Sequence, residues 1–344
     1  MLKQYQIFFD FLRFCIGFAK EIPDSLKEAD WKELYAIAQK QCIVGVLFDG
    51  IKKLPAEHIG MKKELLFQWM AESQMLKKAN VRLNDAAIQV SEWFRKKGFR
   101  TCILKGQGKA LMYPNPYSRT PGDIDIWVEG GDKRVISFVR SISPHEKACY
   151  HHIEFPSYKG VEVEVHYRPS FLLCFWHNRK LQKYYERVKE EQFSHRVMLG
   201  EQGEVAISTV EFNLIFQLTH IYAHLMNEGI GLRQLLDYYY VLISDDFSLI
   251  RDRVQKELKE LGLWKFAGAI MYIMQEVFGM PASRLIVPPN EKYGKFVLNE
   301  VLEAGNFGKH DARNRFGRSQ LGHNLQRVYR DIRLVRYFPA VALC

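Results

Sequence analysis

LKGQGKALMYPNPYSRTPGDIDIWV, residues 104–128, joins a glycine-containing turn to a strand that opens with two aspartates. It follows Phe99–Leu104, FRTCIL, a short apolar run of strand-forming residues. Lys105-Gly106-Gln107-Gly108 then reads as a turn, and Lys109–Tyr113 as a short helix ended by Pro114 and Pro116. Asp123–Val128, DIDIWV, alternates polar and apolar side chains and predicts a second strand. Side chains two apart on a strand project to the same face, so Asp123 and Asp125 share one. Neighbouring carboxylates repel unless a cation lies between them, and magnesium accepts a few carboxylates plus phosphate oxygens. Two acids on an exposed strand face are common, so the pair alone means little. The preceding turn changes that. Backbone N–H groups where a helix begins, with Gly106 and Gly108 permitting close approach, suit a phosphate chain. Lys105 or Lys109 adds positive charge there, and Arg119, four residues before Asp123, can donate to phosphate oxygens.

Working outward, Gly130-Gly131 ends the second strand and Lys133–Ser141 predicts a helix. Two further strands, His151–Phe155 and Val161–Tyr167, flank a hairpin-like connection over Pro156–Gly160. In VEVEVHY, Val161, Val163 and Val165 alternate with Glu162, Glu164 and His166. The valines would face the core. If this strand lies beside DIDIWV, Glu164 faces the two aspartates as a third acid, which a two-metal site needs to activate an attacking hydroxyl. Glu162 reads as a solvated strand residue, and His166 as a group that orients Glu164 or touches substrate.

The flanks are helical. Asp30 caps a helix with Glu33 three residues later, a long helix runs roughly from Met61 to Lys97, and Gly98 stops it. Ser208 with Glu211 predicts a capping box opening VEFNLIFQLTHIYAHLM. Glycines 229 and 231 break that helix before LRQLLDYYYVLI. The expected fold is α+β: a small mixed sheet between helical regions. The expected divisions are residues 1–98, an N-terminal helical region, and 99–172, the α/β core. Residues 173–305 form a C-terminal helical domain and 306–344 a basic tail.

Composition narrows the partners. The formal charge is +10 with 47% hydrophobic residues, which suits a packed protein with anionic partners such as nucleotides, nucleic acid or a membrane surface. Lys309–Arg336 alone holds eight basic residues against Asp311 and Asp331, so nucleic acid is a possible partner of the tail. The six cysteines form no C-x-x-C pair, mostly sit in apolar runs, and read as small buried hydrophobes in a reducing compartment. In the N-terminal MLKQYQIFFDFLRFCIGFAKEI, Asp10 and Arg13 interrupt any signal-peptide pattern. Phe8, Phe11, Leu12, Cys15, Ile16 and Phe18 fall on one helical stripe instead. No transmembrane segment is expected, and the cytoplasm is the expected location. His220 and His224, four apart, have metal spacing without the glutamate of H-E-x-x-H and read as packed histidines. His151 and His152 with Glu154 show no convincing partner set.

Lys105-Gly106, Tyr113-Pro114, Arg119 with Asp123-Ile124-Asp125, Glu164-x-His166 and Gly231-x-Arg233-x-x-x-Asp237 occur in that order. This order resembles a little-characterised bacterial nucleotidyltransferase family of the DNA polymerase beta-like superfamily, over about residues 30–310. The resemblance implies transfer of a nucleoside monophosphate from a nucleoside triphosphate, ATP foremost, to an unknown acceptor. It implies two magnesium (or manganese) ions on Asp123, Asp125 and Glu164. Lys105, Gly106, Gln107, Gly108 and Arg119 would hold phosphates, while His166, Arg233 and Asp237 would line the cleft. Gln107 stands where the superfamily usually has serine, and Glu164 where aspartate is commoner.

Overall fold

The computed structural model describes residues 3–201, 203–244, 247–311, 313 and 320–338. Three helices open the chain: α1 (Lys3–Cys15), α2 (Trp31–Lys40) and α3 (Val44–Ile51). Asp30 caps α2 as its sequence predicts, accepting from the N–H groups of Lys32 at 2.9 Å and Glu33 at 3.2 Å. Helix α1 stops at Cys15 because Gly17 takes φ +80°, so Phe18 leaves the apolar stripe assigned to it and is 45% exposed.

Helix α4 (Lys63–Lys96) is unbroken for 34 residues, about 51 Å at 1.5 Å per residue. It links two cores. Trp69 packs with the helical core, while Leu83, Ala87, Val90 and Phe94 pack under the sheet. Gly98, at φ +80°, turns the chain into β1 (Thr101–Ile103). Then come α5 (Gln107–Ala110), β2 (Ile124–Val128), α6 (Gly131–Ile142), β3 (His152–Tyr158) and β4 (Val161–His166).

The sheet order is β1-β2-β4-β3, with β2 and β4 parallel and both outer pairs antiparallel. The predicted five-residue hairpin connection is shorter in the structure. Lys159 and Gly160, both at positive φ, make a two-residue turn, and Pro156 lies inside β3. Pro156 is tolerated because β3 is an edge strand and its register shifts between Phe155 and Tyr158. Ile124, Ile126, Val163 and Val165 face the core with Val135 and Val139 of α6.

The chain continues through α7 (Phe175–Ser194), the hairpin β5 (Arg196–Met198) and β6 (Glu204–Ala206), then α8 (Val210–Asn227) and α9 (Leu232–Leu242). It ends with α10 (Phe247–Glu260), α11 (Trp264–Phe278), α12 (Glu291–Ala304) and α13 (Gln320–Val335). The predicted cap of α8 moves by one residue. Thr209 accepts from Phe212 N, whereas the Ser208 hydroxyl bonds with Leu104 O at 3.2 Å and Asn213 Oδ1 at 3.0 Å. Ser208 thereby ties the start of α8 to the end of β1. Glu211 pairs with Arg253 of α10 instead of closing a capping box. The helices of both flanks share one hydrophobic core. No described helix is long and apolar enough to cross a membrane.

Candidate active site

Strand register sets the carboxylates. Asp125 of β2 lies opposite Glu164 of β4, and Asp123 precedes Asp125 by two residues on the same face. One oxygen from each of Asp123, Asp125 and Glu164 lies within 4.8 Å of the others. Asp125 is 2% exposed. The three acids sit at one wall of a cleft of about 320 Å³. Lys105, Gly106, Lys109, Arg119, His166 and Gln217 also line it.

Basic groups balance this wall. Lys105 Nζ lies 2.5 Å from Asp125 Oδ1. His166 Nε2 lies 3.0 Å from Asp125 Oδ1 and 3.3 Å from Glu164 Oε2. Burial opposes charge on Asp125, but Lys105 and His166 outweigh it and hold its carboxyl well below the usual range. Burial likewise opposes charge on His166, yet the bonds to Asp125 and Glu164 hold its pKa at about 9. Asp123 behaves oppositely: the adjacent Asp125 charge, then burial, raises its carboxyl. A carboxyl raised by its neighbour's charge is one that a further cation would return to the ionised form. The donor set is all carboxylate, which fits a hard cation such as magnesium.

The turn before the site needs glycine. Gly106 adopts φ +56° and ψ −109°, a region closed to residues with a side chain. It brings Lys105 and Lys109 to the cleft. Gln107 and Gly108 face elsewhere. The Gln107 amide bonds with Asn84 and with Asn80 O of α4, so it anchors the turn where a phosphate contact was expected of it. Gly108 packs on Ile207; a Cβ there would come 3.1 Å from its Cγ2.

Arg119 is buried and bidentate on Asp237, with Nε to Oδ1 and Nη2 to Oδ2 each 2.8 Å. Tyr113 donates to the same carboxylate at 2.7 Å. Asp237 therefore pairs across 118 residues with Arg119, and not along α9 with Arg233. Arg233 donates to Thr120 O at 3.2 Å and lies over Phe307, its ring centroid 5.5 Å away. Both Arg233 and Asp237 line the cleft.

Among the other cleft residues, Lys109 was expected to add charge beside the turn, and Gln217 escaped the sequence reading. Lys109 is 3% exposed and, among the described residues, its side chain makes no hydrogen bond or ion pair; its Nζ lies 5.2 Å from the Phe216 ring centroid. Burial, with Arg119 and Lys105 nearby, lowers its pKa well below the ordinary lysine value. Gln217 is 2% exposed, and among the described residues neither of its amide atoms has a partner. Gln217, His220 and His224 lie at i, i+3 and i+7 on α8, so they share the helix face toward the cleft. That polar stripe on an otherwise apolar helix was the available signal. His220 and His224 stack edge-to-face at 4.2 Å between centroids, as packed histidines do. Cys149, expected to be buried, is exposed beside His151.

The basic tail is partly neutralised. Arg313 and Arg333 pair with Glu300, and Arg313 also with Asp311. Arg315 and Arg318 lie outside the described residues.

A mixed sheet thus sets three carboxylates at the wall of a cleft that lysines and arginines also line. The chain belongs to a family described as uncharacterised nucleotidyltransferase, matched over residues 27–279. No curated protein and no solved structure matches it.

Proposed function

We propose that this protein moves a nucleoside monophosphate from a nucleoside triphosphate, ATP foremost, to a hydroxyl acceptor, releasing pyrophosphate, as polymerase beta-like enzymes do. The observation that carries the reading is the convergence of Asp123, Asp125 and Glu164 within 4.8 Å at the wall of a cleft that Lys105, Lys109 and Arg119 also line. These three residues would hold two magnesium or manganese ions. Bound there, the ions would neutralise the triphosphate and lower the pKa of the attacking hydroxyl.

The chain's own groups do the rest. Glu164, part-exposed to the cleft, accepts the hydroxyl proton. The acceptor oxygen bonds to the α-phosphorus, and the bond from that phosphorus to the bridging oxygen of pyrophosphate breaks. Lys105, the Gly106 turn and Lys109 receive the phosphates, with Gln217 offering its unpartnered amide. Arg119, committed to Asp237, acts by its placement at the cleft floor and through its remaining N–H groups. Catalysis on this reading is positioning and charge neutralisation.

A second reading, nucleotide binding without turnover, is favoured by one contact. Lys105 Nζ already sits on Asp125, where it competes with a metal ion. One experiment separates the two: the protein is incubated with magnesium, each nucleoside triphosphate and a panel of sugar, aminoglycoside, protein and RNA hydroxyl acceptors, and pyrophosphate is measured. Release above the Asp125→Asn background supports transfer. Nucleotide binding without any release supports the second reading.

A further inference from the structure

Cys149, His151 and His152 form a donor cluster that the proposed transfer does not use. They sit in the short segment leading into β3. Its backbone is fixed on both sides: Cys149 N donates to His152 O at 2.9 Å, and Tyr167 N donates to His151 O at 3.0 Å. Ala148 also bridges to Ile153. Cys149 is exposed, while the two histidines line the cleft. Cys149 Sγ lies 3.4 Å from His151 Nδ1, and His151 Nε2 lies 3.1 Å from His152 Nδ1. One donor atom from each residue lies within 4.8 Å of the other two.

We propose that Cys149, His151 and His152 bind a divalent transition-metal ion, zinc by preference, with its fourth position open to the cleft. Zinc bonds of about 2.3 Å to sulfur and about 2.0–2.1 Å to nitrogen place tetrahedral donors roughly 3.3–3.6 Å apart. The Cys149–His151 contact is already of that length, and the His151–His152 contact is about 0.2 Å shorter than its lower end. Enclosing one ion requires the His151 ring to turn so that a single nitrogen serves, a torsion that is soft for imidazole. The donor set separates this site from the carboxylates. Thiolate and imidazole select zinc and its neighbours, whereas magnesium takes oxygen. Partial burial pushes the Cys149 thiol up, but hydrogen bonds with His151 and His152 outweigh it and bring the pKa to about 4, the thiolate form that a metal requires. In place of a C-x-x-C pair, the histidines two and three residues after Cys149 supply the further donors. The site touches the carboxylates through His152, whose Nδ1 lies 3.6 Å from Glu164 Oε2. An ion on His152 therefore withdraws that ring from Glu164.

The test is a cobalt titration of the reduced, metal-stripped full chain, followed by zinc competition against a chromophoric chelator. One equivalent of cobalt is expected to give a thiolate-to-metal charge-transfer band and strong visible bands of four-coordinate cobalt, both bleached by zinc. Cys149→Ser should abolish the charge-transfer band. Cys149→Ser and His151→Gln should each weaken zinc binding about 10-fold or more, with unchanged circular dichroism. The double variant Asp123→Asn, Asp125→Asn should keep the band. No charge-transfer band in the unaltered protein, or zinc affinity in both cluster variants within about two-fold of it, would overturn the proposal. So would loss of the band in the aspartate variant. None of these readouts depends on nucleotidyl transfer.

Discussion

Replacing Asp237 by alanine removes the only carboxylate that meets the buried Arg119 guanidinium among the described residues. Two 2.8 Å charge-assisted bonds are lost, and the Tyr113 hydroxyl loses its acceptor. The two charged side chains are 5% and 9% exposed, so water does not restore the contacts. Breaking such a pair from one side costs about 3–5 kcal/mol, because a charge is left buried without a partner. In urea unfolding with a slope of about 3 kcal/mol per molar, that moves the midpoint down by roughly 1–1.7 M. Removing both charges tests the origin of the loss. Arg119→Met with Asp237→Leu should recover most of it, since two apolar side chains leave no stranded charge. Arg233→Met serves as the control and should cost much less than Asp237→Ala, because Arg233 makes no ion pair with Asp237. A loss below about 1 kcal/mol in Asp237→Ala, or equal losses in the single and double variants, would refute this account of the cleft floor.

Two further outcomes follow from the same cleft. Gln217→Leu should leave the ligand-free protein as stable or more stable, because an apolar group replaces two unpaired buried polar atoms. If Gln217 serves the substrate, the same variant should bind nucleoside triphosphate about 10-fold more weakly in calorimetry, about 1.4 kcal/mol. His220 is half-buried at the cleft, and desolvation followed by the Lys105 charge depresses its pKa well below the ordinary value. Its unfolded form takes up protons below about pH 6.5 that the fold excludes, so its contribution is present above that pH and is lost as pH falls. The stability difference between the unaltered protein and His220→Gln should therefore change with pH below 6.5, by up to about 1.4 kcal/mol per unit. A difference that stays constant from pH 7.5 to 5 would contradict the burial of a neutral imidazole.

Strand periodicity made much of this site legible. A repeat of two places Asp123 with Asp125, and Val163 and Val165 against Glu164 and His166, whatever the partner strand. Once β2 and β4 pair in parallel, Asp125 meets Glu164. The Arg119–Asp237 pair was not legible, because its members are 118 residues apart and each has an equally reasonable local use. Arg119 reads as a free phosphate donor, and Asp237 as a cleft residue beside Arg233. Gln107 misled for a related reason. The turn expected over Lys105–Gly108 ends at Gly106, and the helix expected over Lys109–Tyr113 runs Gln107–Ala110 instead; this one-turn helix divides its side chains between the cleft and α4, and only packing decides which goes where. Lys109 fell to the cleft by the same geometry. The cap of α8 shows how fine this competition is. Ser208 and Thr209 are both capable, and Ser208 is drawn away by Leu104 O and Asn213.

The most direct test of the central claim is label transfer from ATP carrying the label at the α-phosphate or at the γ-phosphate, with magnesium and an acceptor panel. The account predicts that the α-label enters an acceptor while the γ-label leaves as pyrophosphate. Asp123→Asn and Asp125→Asn should each lower the rate by about 10³-fold or more, roughly 4 kcal/mol of barrier, with the fold unchanged. Undiminished α-label transfer in those two variants, or transfer of the γ-label to the acceptor, would contradict it.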